Sequence, residues 1–143
     1  MECARALKAI TARAGTFGLK PAILENKVVY VDMNDCPAQL DILAHVDVVP
    51  AGDGWSVTEP FVPLLRDGKL YGRGTCDDKG PAVAALYAMR AVRELNISLK
   101  YNVRLILGAD EETGCRDTDC YYSHFKEAPC SYSPDGEYPV INL

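Results

Sequence analysis

Residues 40–49 read LDILAHVDVV, an apolar run that carries His45 and Asp47 towards its end. So short a run, rich in β-branched residues and followed by turn formers, reads as a central strand. The strands and helices on either side decide what kind of sheet it joins. Upstream, KVVYVDM (Lys27 to Met33), bounded by Asn26 and Asn34, reads as another strand, with NDCPAQ as the break between the two. Before it, Cys3, Leu7, Ile10 and Ala14 repeat at helical spacing, and Gly15 is placed to end that amphipathic helix. Downstream, PAGDGWSVTEP is a loop by its Pro, Gly and Asp content, and Arg66-Asp67-Gly68-Lys69 signals a tight hairpin turn.

From Pro81 the period changes to that of a helix. Ala85, Ala88, Met89, Val92 and Leu95 share one face, opposite Arg90, Arg93 and Glu94, and Pro81 suits the first turn. YNVRLILGA (Tyr101 to Ala109) follows as a strand and Thr118 to Phe125 as a short helix, while SYSPD and YPVINL read as extended. Strands alternating with helices imply an α/β fold with a largely parallel sheet, whose ligand crevice lies outside the carboxyl ends of its strands.

The chain has 143 residues, 48% of them hydrophobic, enough for one packed unit. Its net charge of -5 argues against a nucleic-acid partner, which would call for clustered Lys and Arg. No apolar stretch is long enough to span a membrane and no signal peptide is evident, so the expectation is a cytoplasmic protein without a membrane partner. Six cysteines without a CxxC pair read as reduced thiols. Cys115, Cys120, His124 and Cys130 could together hold a structural zinc, but without the tight paired spacing of a finger or ribbon.

The polar residues that stand out all fall at strand ends on one edge of the sheet. These are His45 and Asp47, Asp77 and Asp78 ahead of the helix, Asp110, Glu111 and Glu112 after a strand, and Asp135 after SYSP. Carboxylates massed there repel one another unless a cation neutralises them. Imidazole mixed with carboxylate favours zinc, with cobalt or manganese as substitutes. Taken singly, each residue has a plainer reading, as a hydrogen-bonded core histidine, a helix cap or a solvated loop acid. Other catalytic classes lack their signatures: Gly72-Arg73-Gly74 meets Asp77 where GxGxxG needs glycine, and neither GxxxxGK[ST] nor GxSxG occurs.

Four segments, LAHVDVVPAGDGW, LYGRGTCDDKGP, LGADEETG and YSPDGEYPVIN, resemble in order the metal-binding signatures of the zinc exopeptidase superfamily of aminoacylases, glutamate carboxypeptidases and succinyl-diaminopimelate desuccinylase. HVDVVPAGDGW and SPDGEYPVIN are most similar to its PepV-type dipeptidases. The resemblance implies a largely parallel mixed sheet flanked by helices, as in the zinc-peptidase catalytic domain. It also implies two zinc ions in a complete site and a small peptide as substrate. Motif by motif it makes His45 a zinc ligand oriented by Asp47, Asp77 the bridge between both ions, Glu112 a ligand of the second ion and Asp135 of the first. Glu111 becomes the general base, and the peptide bond after Asp77 is expected to be cis.

The superfamily also uses a further ligand histidine and a lid domain from downstream, and about one more helix at the front. On that basis residues 1–143 are expected to be a partial metallopeptidase catalytic domain, without its lid and C-terminal part and inactive alone. The alternatives within reach of the same sequence are an N-acyl-amino-acid deacylase or desuccinylase, or a catalytically dead metal-binding module.

Overall fold

A computed structural model of the chain describes residues 2–136, so the expected extended segment YPVINL lies outside the described residues. In chain order the elements are α1 (Glu2–Thr16), β1 (Lys20–Leu24), β2 (Val28–Asp32), β3 (Ala38–His45), β4 (Leu64–Arg66), β5 (Lys69–Tyr71), α2 (Lys79–Glu94), β6 (Asn102–Gly108), α3 (Arg116–His124) and β7 (Cys130–Tyr132), with a 3-10 turn at Glu111–Thr113. Five strands form one sheet in the order β1-β2-β6-β3-β7, and β4 and β5 form a separate hairpin.

The main sheet is mixed. β1 with β2 and β2 with β6 run antiparallel, whereas β6 with β3 and β3 with β7 run parallel. β3 is therefore an internal strand. The parallel half brings the carboxyl ends of β3, β6 and β7 to one edge, with His45 level with Gly108.

Period-two alternation along β2 and β6 sets the two faces of the sheet. Val29, Val31, Leu105 and Leu107 pack in one buried cluster with Leu7 and Ala14 of α1 and Leu86 and Met89 of α2. Val28 and Ile106 point the other way and pack with Tyr121 of α3. Two helices on one face and one on the other give the flanked sheet that the resemblance implies.

Several details differ from the sequence reading. α1 runs through Gly15 to Thr16, and the chain turns instead at Gly18, at φ 69°, with Leu19 N donating to Ala14 O. The buried stripe of α2 centres on Ala82, Leu86 and Met89; Ala88 is exposed and Leu95, just past the helix, is 71% exposed. On a helical wheel those two fall well off the stripe formed by Ala82, Leu86 and Met89, on the side turned to solvent. β1 has no counterpart in the sequence pattern, because Lys20 and Pro21 weaken its strand signal. Proline is tolerated there because β1 is an edge strand. The Arg66–Lys69 turn is as read: Asp67 and Gly68 both take positive φ, the geometry of a two-residue hairpin. The Asp77-Asp78 peptide bond is cis.

Beneath α3, Arg104 of β6 donates from Nε to Asp32 Oδ1 at 2.6 Å, from Nη2 to Asp32 Oδ2 at 3.1 Å, and from Nη1 to the Tyr121 hydroxyl at 2.6 Å. Its guanidinium also lies over the Tyr30 and Phe125 rings. Both charged side chains are largely covered, 14% and 16% exposed. Removing one partner of such a pair leaves the other charge unanswered in a poorly solvated place. Asp32→Ala is expected to lower the unfolding free energy by about 3 kcal/mol, read as a fall in the urea midpoint at unchanged m-value. A loss within a few tenths of a kcal/mol would mean that solvent replaces the carboxylate.

Candidate metal centre

His45 closes β3, and its side chain is only 3% exposed. The backbone then leaves the sheet, with Val46 N donating to Gly108 O at 2.9 Å, so that Asp47 turns back beside the imidazole. Asp47 Oδ1 lies 3.2 Å from Nδ1, and Asp47 Oδ2 accepts the Glu112 N–H at 3.0 Å. On the other side of the ring, Nε2 lies 3.1 Å from Asp77 Oδ1, 3.4 Å from Asp135 Oδ2 and 4.0 Å from Glu111 Oε2. Neither ring nitrogen has a hydrogen bond of good geometry among the described residues.

The structure thus brings together the six residues to which the resemblance gives a role, His45, Asp47, Asp77, Glu111, Glu112 and Asp135, from four separate chain segments. Two sets place their potential ligand atoms within 4.8 Å of one another: His45 with Asp77 and Asp135, and His45 with Glu111 and Glu112. Both converge on the same imidazole. No set joins Asp77 and Glu112 to a third ligand among the described residues. Glu112 Oε1 accepts the Val49 N–H at 3.2 Å, which holds that side chain over the start of the 46–63 loop.

Two acidic residues that the sequence reading left without a role fix this arrangement. Asp78 is fully buried, and its Oδ2 accepts the His45 backbone N–H at 3.0 Å. It thereby ties the start of α2 to the end of β3. Asp117 of α3 is also buried. Its Oδ2 accepts the N–H groups of Ala109 and Asp110, and its Oδ1 accepts that of Thr118. That carboxylate shapes the turn that delivers Glu111 and Glu112. It fits because residue 108 is glycine, since a Cβ there would stand 2.3 Å from Asp117 Oδ2. The role of Asp78 arises between residues 33 positions apart, and neighbouring sequence gives no sign of it. For Asp117, its place in the first turn of α3 was the one available hint, shared with Asp119.

The electrostatics are those of a site crowded with negative charge. Burial lowers the pKa of the His45 imidazole, but Asp47, Asp78, Glu111 and Asp135 more than offset that, and the net shift is upward. Burial pushes Asp78 up to about 6 against the opposing His45 N–H. Glu111 is also raised, by burial first, with Glu112, Asp135 and Asp47 adding to the effect and His45 opposing it. A buried imidazole with an unpartnered nitrogen, faced by convergent carboxylates, fits a divalent cation.

The sequence pattern of Peptidase family M20/M25/M40 matches residues 42–130, and the chain belongs to this family. Among curated proteins, "Putative dipeptidase YtjP" of Bacillus subtilis is 44% identical over 103 residues, which cover 72% of this chain and 22% of that protein. A protein of similar description from Staphylococcus saprophyticus is 45% identical over 101 residues, 71% of this chain and 21% of its own length. The chain therefore spans about a fifth of the length of these relatives. The crystal structure of human carnosine dipeptidase 1 superposes with a TM-score of 0.80 at 26% identity, covering 96% of this chain and 33% of that one. An M20 family metallo-carboxypeptidase from Sulfolobus solfataricus shares the fold, with a TM-score of 0.78 at 24% identity, over 92% of this chain and 32% of that one. No helix among the described residues is long and apolar enough to cross a membrane.

The raised pKa of Asp78 has a consequence for the metal-free chain. Folding strengthens its hold on a proton, so its contribution to stability is full below its unfolded value of about 3.8 and is lost as pH rises through about 6. Asp78→Asn removes that dependence. In EDTA, urea unfolding of the two chains from about pH 4 to about pH 7 is expected to show the asparagine variant gaining on the unsubstituted chain as pH rises. A difference that stays flat would place the ionised Asp78 carboxylate in a solvated environment.

Proposed function

We propose that this chain carries the metal-binding part of a dinuclear zinc peptidase that hydrolyses dipeptides or small peptides. The observation that carries the reading is the buried His45 Nε2. It has no hydrogen bond of good geometry, and it faces Asp77 Oδ1 at 3.1 Å and Asp135 Oδ2 at 3.4 Å. These three side chains would hold one ion. Asp77 and Glu112 would reach a second. One imidazole among carboxylates favours zinc over the all-oxygen sets of magnesium or calcium. The dipeptidase descriptions attached to the Bacillus and Staphylococcus relatives support a small peptide as substrate.

A bound divalent ion supplies Lewis acidity, polarising a carbonyl oxygen and making a water easier to deprotonate. The remaining work falls to the chain's own groups. Asp47 beside Nδ1 keeps the imidazole turned so that Nε2 faces the carboxylates. Glu111, 46% exposed and 4.0 Å from Nε2, stands at the rim, where its carboxylate can take a proton from water and return it to the leaving amine. Asp78 and Asp117 position these groups without touching substrate.

Zinc analysis after dialysis tests the assignment by difference. His45→Ala and Asp135→Asn should each lose about one zinc equivalent relative to the unsubstituted chain, and Glu111→Gln should lose none. In any form of the protein that turns over a dipeptide, Glu111→Gln should cut kcat by about 10²–10⁴ at unchanged metal content. Zinc lost on Glu111→Gln and kept on His45→Ala would overturn these roles.

A further inference from the structure

The fold separates the four potential zinc ligands that the sequence clusters near its C-terminal end. Cys115 and Cys130 are exposed on different elements, and among the described residues neither shares a ligand set with the other two. Cys120 and His124 stay together, because residues four apart on α3 lie on one face. They gain a partner from a distant segment, Glu25. Glu25 and Asn26 both take left-handed backbone conformations in the turn between β1 and β2, and this turn presents the Glu25 carboxylate to α3.

The geometry is that of a ligand set. Glu25 Oε2 lies 3.4 Å from Cys120 Sγ, and Glu25 Oε1 lies 3.7 Å from His124 Nε2. The two spans end on different oxygens of the one carboxylate, and each is close to the ligand–ligand separation in a coordination shell built on bonds of about 2.3 Å to sulfur and about 2.0–2.2 Å to nitrogen and oxygen. All three side chains offer ligand atoms within 4.8 Å of one another. The imidazole is also oriented for the task. Its Nδ1 lies 2.9 Å from the Cys120 carbonyl oxygen and 3.0 Å from Ser123 Oγ. A carbonyl can only accept, so the Nδ1 proton points to it and the Nε2 lone pair is left facing Glu25. This is the arrangement by which a backbone carbonyl sets the tautomer of a metal-binding histidine. The competing cation is the Lys27 ammonium, 3.2 Å from Glu25 Oε2 and on a flexible, half-exposed side chain that an ion could displace.

We infer that Glu25, Cys120 and His124 form a second metal site, for a borderline-soft divalent ion such as zinc, with water in the fourth position. It shares no residue with the His45 centre. A bound ion clamps α3 to the β1–β2 turn, and because the three ligands converge only in the folded chain, binding raises its thermal midpoint.

Cobalt(II) titration of the 143-residue chain tests this, because the His45 centre contains no thiol. A near-ultraviolet thiolate-to-cobalt charge-transfer band should appear and be abolished by excess zinc. Cys120→Ser should eliminate the band, and His124→Ala and Glu25→Gln should each weaken cobalt binding at this site at least about tenfold. Cys115→Ser and Cys130→Ser should leave it intact. Should Cys120→Ser fail to fold by circular dichroism, Glu25→Gln, on an exposed turn, decides the matter. The inference is overturned if no band forms, if the band survives Cys120→Ser, or if it is indifferent to both His124→Ala and Glu25→Gln.

Discussion

The site depends on one buried imidazole. His45 sits at the carboxyl end of an internal strand with almost no solvent contact, and carboxylates face both of its ring nitrogens. Left to itself such a cluster is poorly compensated, since burial penalises each charge while water can reach only some of the oxygens. A divalent cation resolves the conflict. Parallel strands converging at one edge, an acidic residue ahead of α2 and a 3-10 turn carrying two glutamates together bring the side chains of the proposed centre to a single point.

The supporting structure is arranged to hold that point still. Asp78 grips the His45 backbone, Asp47 lies beside the imidazole and accepts the Glu112 N–H, and Asp117 pins the turn beyond β6. These groups act through hydrogen bonds to backbone N–H groups, which fix the main chain before any ligand arrives. Gly108 belongs to the same device, since the space that a side chain would fill at this position is taken by the Asp117 carboxylate. Preorganisation of this kind spares a metal centre the cost of ordering its own ligands.

Much of this was legible in the sequence. β3 and β6 announce themselves as apolar runs, and the acidic residues after them fall where α/β sheets bind ligands. The six candidate residues come from four ordered motifs through the resemblance, and the fold brings their side chains together. What the sequence hides is long-range. β1 is masked by a lysine and a proline that an edge strand accommodates, and the inward face of α2 is set by where the sheet meets it, which shifts it away from Ala88 and Leu95. Asp78 and Asp117 look like two more acids near helix starts, and only tertiary contacts reveal them as clamps on the backbone. The grouping of Cys120 and His124 with Glu25 is the strongest case, since sequence proximity suggested Cys115 and Cys130 and the hairpin turn supplied a carboxylate from 95 residues away.

His45, Asp77 and Asp135 are proposed to hold one ion between them. An anomalous difference map at the zinc absorption edge, from crystals of this chain grown with zinc, tests it directly. A peak is expected within about 2.0–2.2 Å of His45 Nε2 and of one oxygen each from Asp77 and Asp135. Zinc absent from that position at saturating concentration, with Nε2 still facing the two aspartates, would contradict it.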